Sequence, residues 1–232
     1  MTTMMEEKTM QTNKEVRSMA FEIRAEQNEQ HGTFITGTPI VFNQETDLGW
    51  MREVIDPHAL DKTDLHDVRF LIGHNTSMVP LARSRNNNEH STMQLMPHTD
   101  GMDIRVDLDI ENNADARTLY SAVKRGDMTG MSFMFTVDGE EWEDLESDMP
   151  LRRVTSIGRV YEVSAVCFPA YEGTSIDLEA ASDGSALDSV RASLESARAR
   201  LAEERAAQAE ETRRSAVLER LNKLMEVSDN EV

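Results

Sequence analysis

Alternation of apolar and polar residues dominates the chain up to Pro169, and this pattern predicts β-strands. The clearest case is Met102–Ile110, where every second residue from Ile104 onward is apolar and charged residues lie between them, as in a strand with one buried face. The predicted strands are Val16–Ile23, Gly32–Phe42, Asp67–Gly73, Thr92–Met96, Met102–Ile110, Gly130–Val137 and Arg152–Phe168. The pattern therefore predicts a mainly β domain.

Two segments in this part of the chain indicate helices instead. Asn113–Arg125 has its apolar residues at helical spacing and is followed by Gly126, a residue type that commonly ends a helix. Glu53–Leu60 contains an Asp-Pro step, which predicts a turn that leads into a short helix. The acidic segment Asp138–Asp148 predicts a loop between the last two strands.

The chain beyond Ala186 is rich in Ala, Glu, Arg and Leu and contains neither proline nor glycine, which predicts a helix. Its apolar residues begin at the alternating three- and four-residue steps of a coiled-coil seam, but Glu204, Gln208 and Glu211 interrupt this seam before Leu218 restores it. A coiled coil is therefore expected only in the first part of the helix. A solvated or loosely docked helix is an equal alternative.

Composition and charge indicate one folded domain with polar extensions. The 232 residues include 43 acidic and 24 basic side chains, and the net charge of −19 argues against sequence-independent binding of nucleic acid. Only 39% of the residues are hydrophobic and the mean hydropathy is −0.52, so we expect a modest core. We predict a disordered leader (1–14), a folded domain (15–178), a linker (179–186) and a helical tail (187–232). The expected fold class is α+β, with a mainly β, barrel-like domain, surrounding helices and a C-terminal helical extension.

The sequence has the features of a protein from a reducing compartment. It has no run of about 18 apolar residues that could span a bilayer, and Met1–Lys14 lacks the apolar stretch of a secretory signal. The single cysteine, Cys167, has no partner for an internal disulfide, and the apolar run around it predicts a buried thiol. We expect a cytosolic protein with no membrane partner.

Of the six histidines, His74 has the sequence context most typical of a functional site. It follows a strongly apolar predicted strand and a glycine, and it opens a polar loop, where a rigid strand can hold an imidazole at the edge of a cleft. No histidines have the paired spacing of a metal site, so we expect neither a metal nor another cofactor. A metal hydrolase that uses His74, His90 or His98 with nearby acids is a minor alternative.

Two polar residues, Ser132 and Glu162, lie within apolar segments of the predicted strands, and their presence there needs a physical reason. Ser132 alternates with Met131 and Phe133, and spacing alone favours a serine that bonds to a neighbouring backbone group over a nucleophile. Glu162 lies in a strand that is apolar on both faces, with Val160 expected on its own face. Burying a carboxylate there costs several kcal/mol unless it is paired. Glu162 therefore either lies at a sheet edge in water or pairs with a His or an Arg.

Five motifs follow one another in order over roughly Val16–Ile176. They are Gly37-Thr-Pro-Ile-Val-Phe, Glu53-Val-Ile-Asp-Pro-His-Ala-Leu, Gly73-His-Asn followed by Pro80-Leu-Ala-Arg-Ser, Gly126-Asp-Met-Thr-Gly-Met-Ser-Phe-Met-Phe, and Tyr161-Glu-Val-Ser-Ala-Val-Cys-Phe-Pro-Ala. Together they resemble the motifs of the prohead maturation proteases of tailed bacteriophages, a family related in fold to the herpesvirus capsid assembly protease. The family more often has Asn-His-Asp at residues 73–75 and Leu-Gly-Arg at residues 81–83, but the histidine and the serine of its motifs are present.

The resemblance implies a serine endopeptidase that cuts scaffold and capsid-protein extensions, and itself, inside the immature capsid in the bacterial host cytoplasm. It places the protease domain at residues 15–178, with Ser132 as nucleophile, His74 as general base and Glu162 as the acidic residue of the site. Besides backbone N–H groups, Arg152 and Arg153 are candidates for binding the oxyanion.

The partners that the resemblance implies are the major capsid protein, the scaffold protein and further copies of the chain. A non-enzymatic assembly protein on the same fold, with the helical tail acting as scaffold, is the alternative.

Overall fold

The computed structural model describes residues 14–19, 23–167 and 185–229, and in these ranges the chain forms two β-sheets and two helices. One compact unit extends to Ser189, and a second begins at Val190. The strands are β1 (Lys14–Met19), β2 (Arg24–Asn28), β3 (Gly32–Val41), β4 (Thr46–Asp47), β5 (Arg52–Ile55), β6 (Asp67–Ile72), β7 (Ala82–Arg85), β8 (Met93–His98), β9 (Gly101–Asp107), β10 (Gly130–Glu143) and β11 (Leu151–Val166), and the helices are α1 (Ala114–Arg125) and α2 (Ser185–Asp229).

The predicted α+β class, with strands predominating and a C-terminal helix, is confirmed. The two sheets do not close into a barrel. Among the residues that the structure describes, α1 is the single helix of the β domain, so the surrounding helices expected from the sequence reduce to one.

Strand β11 organises the larger sheet because it pairs with three other strands. β10 runs antiparallel to it, β5 pairs parallel with its N-terminal part (Leu151–Val154), and β6 pairs parallel with its C-terminal part (Glu162–Ala165). β1 pairs with the other side of β10, β4 pairs with β5, and β7 pairs with β6. The smaller sheet has the order β2-β3-β9-β8. β10 and β11 are therefore interior strands with partners on both sides.

One hydrophobic core is built from both sheets and α1. Met131, Phe133 and Phe135 of β10 belong to it, and the rings of Phe133 and Phe135 stack with their centroids 4.7 Å apart. Ser132 and Met134 alternate with these residues and are also buried, on the opposite face of the strand. The predicted alternation along β10 is confirmed, and both faces of the strand are shielded from water.

Helix α1 begins and ends where the sequence predicts. The Asn113 side chain accepts hydrogen bonds from the backbone N–H groups of Asp115 and Ala116 (2.9 and 3.2 Å), two of the donors that a helix N-terminus leaves without partners. Gly126 has a φ of 77°, and its N–H donates to the Val123 carbonyl (3.0 Å). The left-handed conformation at this position is the usual helix stop and suits a residue without a side chain.

Two predicted segments differ from the structure. Glu53–Leu60 contains no helix, because its first residues pair in parallel with β11 as part of β5 and hydrogen-bonded turns follow them. β10 continues to Glu143, beyond the expected strand end at Val137, because its pairing with β11 continues. The loop predicted at Asp138–Asp148 is correspondingly shorter.

The ends of the chain are described only in part. Apart from Lys14, the predicted leader lies outside the described residues, and of the predicted linker only the first residues of α2 are described. α2 gives the tail the single helix that its composition predicts, whereas a coiled coil stays a prediction. Within the described ranges, neither helix combines enough length with enough apolar character to cross a membrane.

Candidate active site

Ser132 and Ser164 lie directly opposite each other on the paired strands β10 and β11. Their side chains project from the same face of the sheet, opposite the face that Phe133 and Val163 contribute to the core. Residues paired in this way have Cβ atoms about 4.5–5.5 Å apart. Both serines are fully buried. Two hydroxyl groups therefore lie close together in a part of the sheet from which water is excluded.

His74 follows directly on β6, which pairs with the same part of β11. Gly73 extends this pairing, since its N–H donates to the Ala165 carbonyl (3.0 Å), and the backbone N–H of His74 then donates to the Ser164 hydroxyl (3.0 Å). Gly73 and His74 both have left-handed backbone conformations, with φ of 58° and 57°. A residue with a side chain adopts this conformation rarely, and only where surrounding contacts fix it. The turn brings the imidazole to β11.

The carboxylate of Glu162 joins this imidazole to Ser164. Its Oε1 lies 2.5 Å from His74 Nδ1, and its Oε2 accepts a hydrogen bond from the Ser164 hydroxyl (2.6 Å). The side chains of Glu162 and His74 are 3% and 14% exposed. An ionised carboxylate only accepts hydrogen bonds, so Nδ1 donates, and the lone pair of the neutral imidazole is on Nε2. A general base needs this tautomer.

A β-bulge brings Glu162 to this face of the sheet. Met134 is opposite Glu162 and Phe135 is opposite Val160, so Tyr161 has no register partner in β10. Because the bulge shifts the alternation, Val160 belongs to the hydrophobic core although it is two residues from Glu162. The expectation that these two residues share a face is wrong. Of the two alternatives that the sequence leaves open, the structure shows the paired, buried carboxylate.

The Ser132 hydroxyl and His74 Nε2 are not hydrogen-bonded to each other in this structure. The hydroxyl donates to the backbone carbonyl of Arg17 in β1 (2.8 Å). His74 Nε2 is buried and has no hydrogen-bond partner among the residues described. A buried nitrogen without a partner is rare, and a catalytic role is one of the few reasons for it. Proton transfer from Ser132 to Nε2 requires the hydroxyl to exchange its acceptor.

Arg152 and Arg153, the two candidates for binding the oxyanion, lie at the N-terminal end of β11. Arg152 precedes Glu162 by ten positions along the strand, and β11 pairs with β5 at Arg152 but with β6 at Glu162. The Arg152 guanidinium is buried among three carboxylates, whereas that of Arg153 forms a partly exposed ion pair with Glu143 (2.9 Å). The structure brings Ser132, His74 and Glu162 to one part of the sheet and neither arginine to that part.

Arg152 belongs to a group of buried or partly buried ionised side chains, called the ion cluster below: Glu15, Arg17, Glu53, Glu140 and Arg152. Arg17 binds Glu15 and Glu53 (both 2.6 Å), and Arg152 binds the same two carboxylates (2.7 and 2.9 Å). Burial by itself raises the pKa of Glu15, but the Arg152 and Arg17 guanidiniums outweigh it and lower the pKa to about 2. The ion cluster holds β1 against the sheet, and β1 provides the carbonyl that the Ser132 hydroxyl contacts.

Other candidate groups from the sequence lie elsewhere. His90 is highly exposed and 3.6 Å from Glu89, and His98 is 3.4 Å from Asp103 at the end of β8. In the part of the chain that the structure describes, no group of three His, Cys, Asp or Glu side chains is placed to hold a metal ion. The prediction of a buried Cys167 is wrong, since this residue follows the last residue of β11 and is exposed.

Sequence reasoning did not single out Ser164 or Arg17. Ser164 lies two residues after Glu162, so strand alternation places both on one face, and this signal could have identified Ser164. Arg17 contributes a backbone carbonyl, and no pattern of side chains indicates which carbonyl lies beside a given hydroxyl.

Comparison with known proteins identifies a family. The family model described as caudovirus prohead serine protease matches residues 19–188, a range that contains Ser132, His74 and Glu162. No curated protein and no solved structure matches the chain. Because the family match extends over well more than half of the sequence, this chain belongs to the caudovirus prohead serine proteases.

Proposed function

We propose that the chain is a serine endopeptidase of prohead maturation in which Ser132 is the nucleophile, His74 the general base and Glu162 the residue that orients the base. Membership of the family gives the chain a serine protease role in phage maturation. The observation that supports the residue assignment is the buried His74–Glu162 pair, 2.5 Å between Nδ1 and Oε1, whose Nε2 has no partner among the described residues. Ser132 projects from the adjacent strand on the same face as Glu162.

The reaction follows from these positions. His74 Nε2 takes the hydroxyl proton as Ser132 Oγ forms a bond to the carbonyl carbon of the substrate, and Glu162 stabilises the resulting imidazolium. The imidazolium gives its proton to the amide nitrogen as the C–N bond breaks, which releases the amine and leaves an acyl ester on Ser132. A water molecule, deprotonated by His74, hydrolyses that ester and restores the serine.

The burial of the site sets a condition for this reaction. Ser132 is fully buried, and its hydroxyl contacts the Arg17 carbonyl rather than the imidazole. A peptide can reach Ser132 only after this face of the sheet opens, and the hydroxyl must then turn to His74. The same exclusion of water strengthens the interaction between the imidazolium and Glu162 once substrate is bound.

We propose the scaffold protein, the extension of the major capsid protein and the chain itself as substrates, met inside the prohead in the host cytoplasm. Enclosure in a shell keeps these proteins at a high effective concentration, so tight binding of each cleavage site is not required. The tail helix α2 exposes three large apolar side chains, those of Val217, Leu218 and Leu221. We assign this segment a role in recruitment and self-association.

Co-expression with the capsid precursor tests the proposal directly. Mass spectrometry should show a shortened capsid protein with the wild-type chain and only the full-length precursor with Ser132→Ala. Ser84→Ala is the matched control, because Ser84 is also a fully buried strand serine but its hydroxyl has no hydrogen-bond partner within the described part of the chain. Processing by the Ser132→Ala chain at the wild-type level would remove Ser132 from the nucleophile role.

One observation favours the alternative of a non-enzymatic assembly protein. The hydrogen bond from Ser132 to the Arg17 carbonyl is what a purely structural strand serine makes. Under that alternative, capsid precursor stays uncut even with the wild-type chain, and Ser132→Ala lowers the melting temperature. A folded, stable Ser132→Ala protein together with cleavage by the wild type contradicts it.

The recruitment role of the tail has its own test. Deleting residues 190–232 removes the second compact unit and none of the residues of the proposed site. We expect the truncated chain to cleave a peptide substrate at the wild-type rate but to be packaged into proheads less efficiently. Packaging at the wild-type level would exclude recruitment by this segment.

A further inference from the structure

We infer that Ser164 is a positioning residue of the active site, whose hydroxyl fixes both the carboxylate of Glu162 and the backbone of His74. The inference rests on the proposed function, because it assigns Ser164 a task in the same proton transfer. It adds a residue whose hydroxyl bonds to the carboxylate of the acid and to the backbone of the base.

The evidence is the pair of hydrogen bonds that Ser164 makes. Its hydroxyl donates to Glu162 Oε2 (2.6 Å) and accepts from the backbone N–H of His74 (3.0 Å). The other carboxylate oxygen, Oε1, faces His74 Nδ1 at 2.5 Å. Ser164 therefore closes a ring of three hydrogen bonds that contains the acid, the base and itself, and all three side chains are buried or nearly so.

Each bond in this ring restrains a group that catalysis needs in one position. With Oε2 held by the hydroxyl, the Glu162 carboxylate cannot rotate away from the imidazole without leaving a buried oxygen without a partner, which is unfavourable. With its N–H held by the same hydroxyl, His74 keeps the left-handed conformation (φ 57°) that directs its ring to β11. One hydroxyl thus fixes the imidazole through both its carboxylate partner and its backbone.

A second buried serine shows that burial alone does not require this arrangement. Ser84 in β7 is as fully buried as Ser164, yet its hydroxyl has no hydrogen-bond partner among the described residues. Removing the Ser84 hydroxyl breaks no bond, whereas removing that of Ser164 breaks two. Ser164 and Ser84 therefore allow a matched comparison between a buried hydroxyl that makes hydrogen bonds and one that makes none within the described residues.

Loss of the Ser164 hydroxyl has a predictable effect on the chemistry. Without the Ser164 hydroxyl, the negative charge of the Glu162 carboxylate is shared with one hydrogen-bond donor fewer, so its interaction with the His74 imidazolium is stronger. The acidic limb of the plot of kcat against pH therefore moves to higher pH. The looser placement of the imidazole lowers kcat by about 10- to 100-fold, since misplacement of about 1 Å has effects of this size. KM should change much less, because the two bonds that Ser164 makes are to Glu162 and His74.

The kinetic experiment compares Ser164→Ala, Ser164→Thr and Ser84→Ala in the full chain with a peptide substrate. We expect Ser164→Ala to lose kcat and to shift the acidic limb, Ser164→Thr to recover most of kcat because it keeps the hydroxyl, and Ser84→Ala to match the wild type. A Ser164→Ala variant with a lower melting temperature but an unchanged kcat and pH profile would overturn the inference. So would a Ser164→Thr variant that stays folded and recovers nothing.

A second measurement needs no activity. In the Ser132→Ala background, which prevents self-cleavage, proton NMR detects the His74 Nδ1 proton through its bond to Glu162. Adding Ser164→Ala should shift this resonance and speed its exchange with water, and adding Ser84→Ala should leave it unchanged. An unaltered resonance contradicts the role of Ser164, whereas cleavage by the Ser132→Ala chain itself contradicts the proposed function, so the two failures are distinguishable.

Discussion

Strand β11 passes through two buried groups of ionisable side chains that differ in how completely they are paired. At its N-terminal end, every carboxylate of the ion cluster binds a guanidinium. At its C-terminal end, His74 and Glu162 pair through Nδ1, while Nε2 of the same imidazole is buried without a partner among the described residues. Both groups are shielded from water, so burial does not distinguish them.

Under the proposed function, the ion cluster serves stability and the His74–Glu162 pair serves chemistry. In a fully paired set of buried charges, every charged group already has a partner, so none is available to a substrate. Removing one member leaves the opposite charge uncompensated. A buried nitrogen with a free lone pair is costly to the fold and useful to a reaction that needs a base. Variants of the C-terminal group that keep its hydrogen bonds should therefore change turnover at nearly constant stability, and variants of the ion cluster should do the reverse.

The largest effect is expected from removing the base. His74→Ala should lower kcat by about 10⁴-fold or more, because no other described group replaces Nε2 as proton acceptor. His58→Ala, which removes a highly exposed imidazole paired with Asp61, is the control and should leave kcat unchanged. Single-turnover cleavage of a peptide substrate measures both. Normal turnover in folded His74→Ala protein would show that His74 is not the base, and the proposed difference between the two groups would be lost.

The next effect separates the two kinds of buried carboxylate. Glu162→Gln can donate its amide to His74 Nδ1, which moves the ring proton to Nε2 and blocks acceptance of the Ser132 proton, so kcat should fall by about 10²- to 10⁴-fold with little change in melting temperature. Glu53→Gln, in the ion cluster, should lower the melting temperature and leave turnover per folded molecule unchanged. Reduced stability with normal turnover in Glu162→Gln would make Glu162 a structural residue.

The sequence allowed the fold to be predicted where local patterns decide it. The alternation along β10, the hairpin strands β8 and β9, and helix α1 with its Asn113 cap and Gly126 stop all follow from residues close together in the chain. The prediction of a helix in Glu53–Leu60 was wrong because pairing with β11, about 100 residues away, overrides the local preference. Long-range pairing of this kind leaves no trace in a local pattern.

The sequence indicated the residues of the candidate site but not their geometry. The motifs that resemble the prohead proteases indicated Ser132, His74 and Glu162, whereas the bulge at Tyr161 that turns Glu162 away from Val160 depends on the register of two strands. A register shift of one residue reverses the face of every side chain beyond it. The left-handed backbone conformation of His74 could not be predicted from the sequence either, because residues other than glycine rarely adopt it.

Adjacent arginines of β11 provide the sharpest test of the paired end. Arg152→Met leaves the buried Glu15 and Glu53 without one of their two cations and should lower the free energy of unfolding by about 3–5 kcal/mol. Arg153→Met breaks only a partly exposed pair with Glu143 and should cost less than about 1 kcal/mol. Urea unfolding measures both. If either variant is stable but cleaves much more slowly, that arginine serves the oxyanion after all.

The smallest effect concerns the response of the ion cluster to acid. The pKa of Glu15 is lowered from 4.5 to about 2 in the folded chain, against the effect of burial, by Arg152 and Arg17. The stabilisation that this shift provides is complete above pH 4.5 and is lost as the pH falls toward 2, an expected loss of about 3 kcal/mol. Thermal unfolding of the Ser132→Ala chain between pH 2 and pH 6 should show this loss, Glu15→Gln should flatten it, and Glu29→Gln, at an exposed position, should not. An equally steep loss in Glu15→Gln would place the acid sensitivity outside the ion cluster and remove the contrast between the two ends of β11.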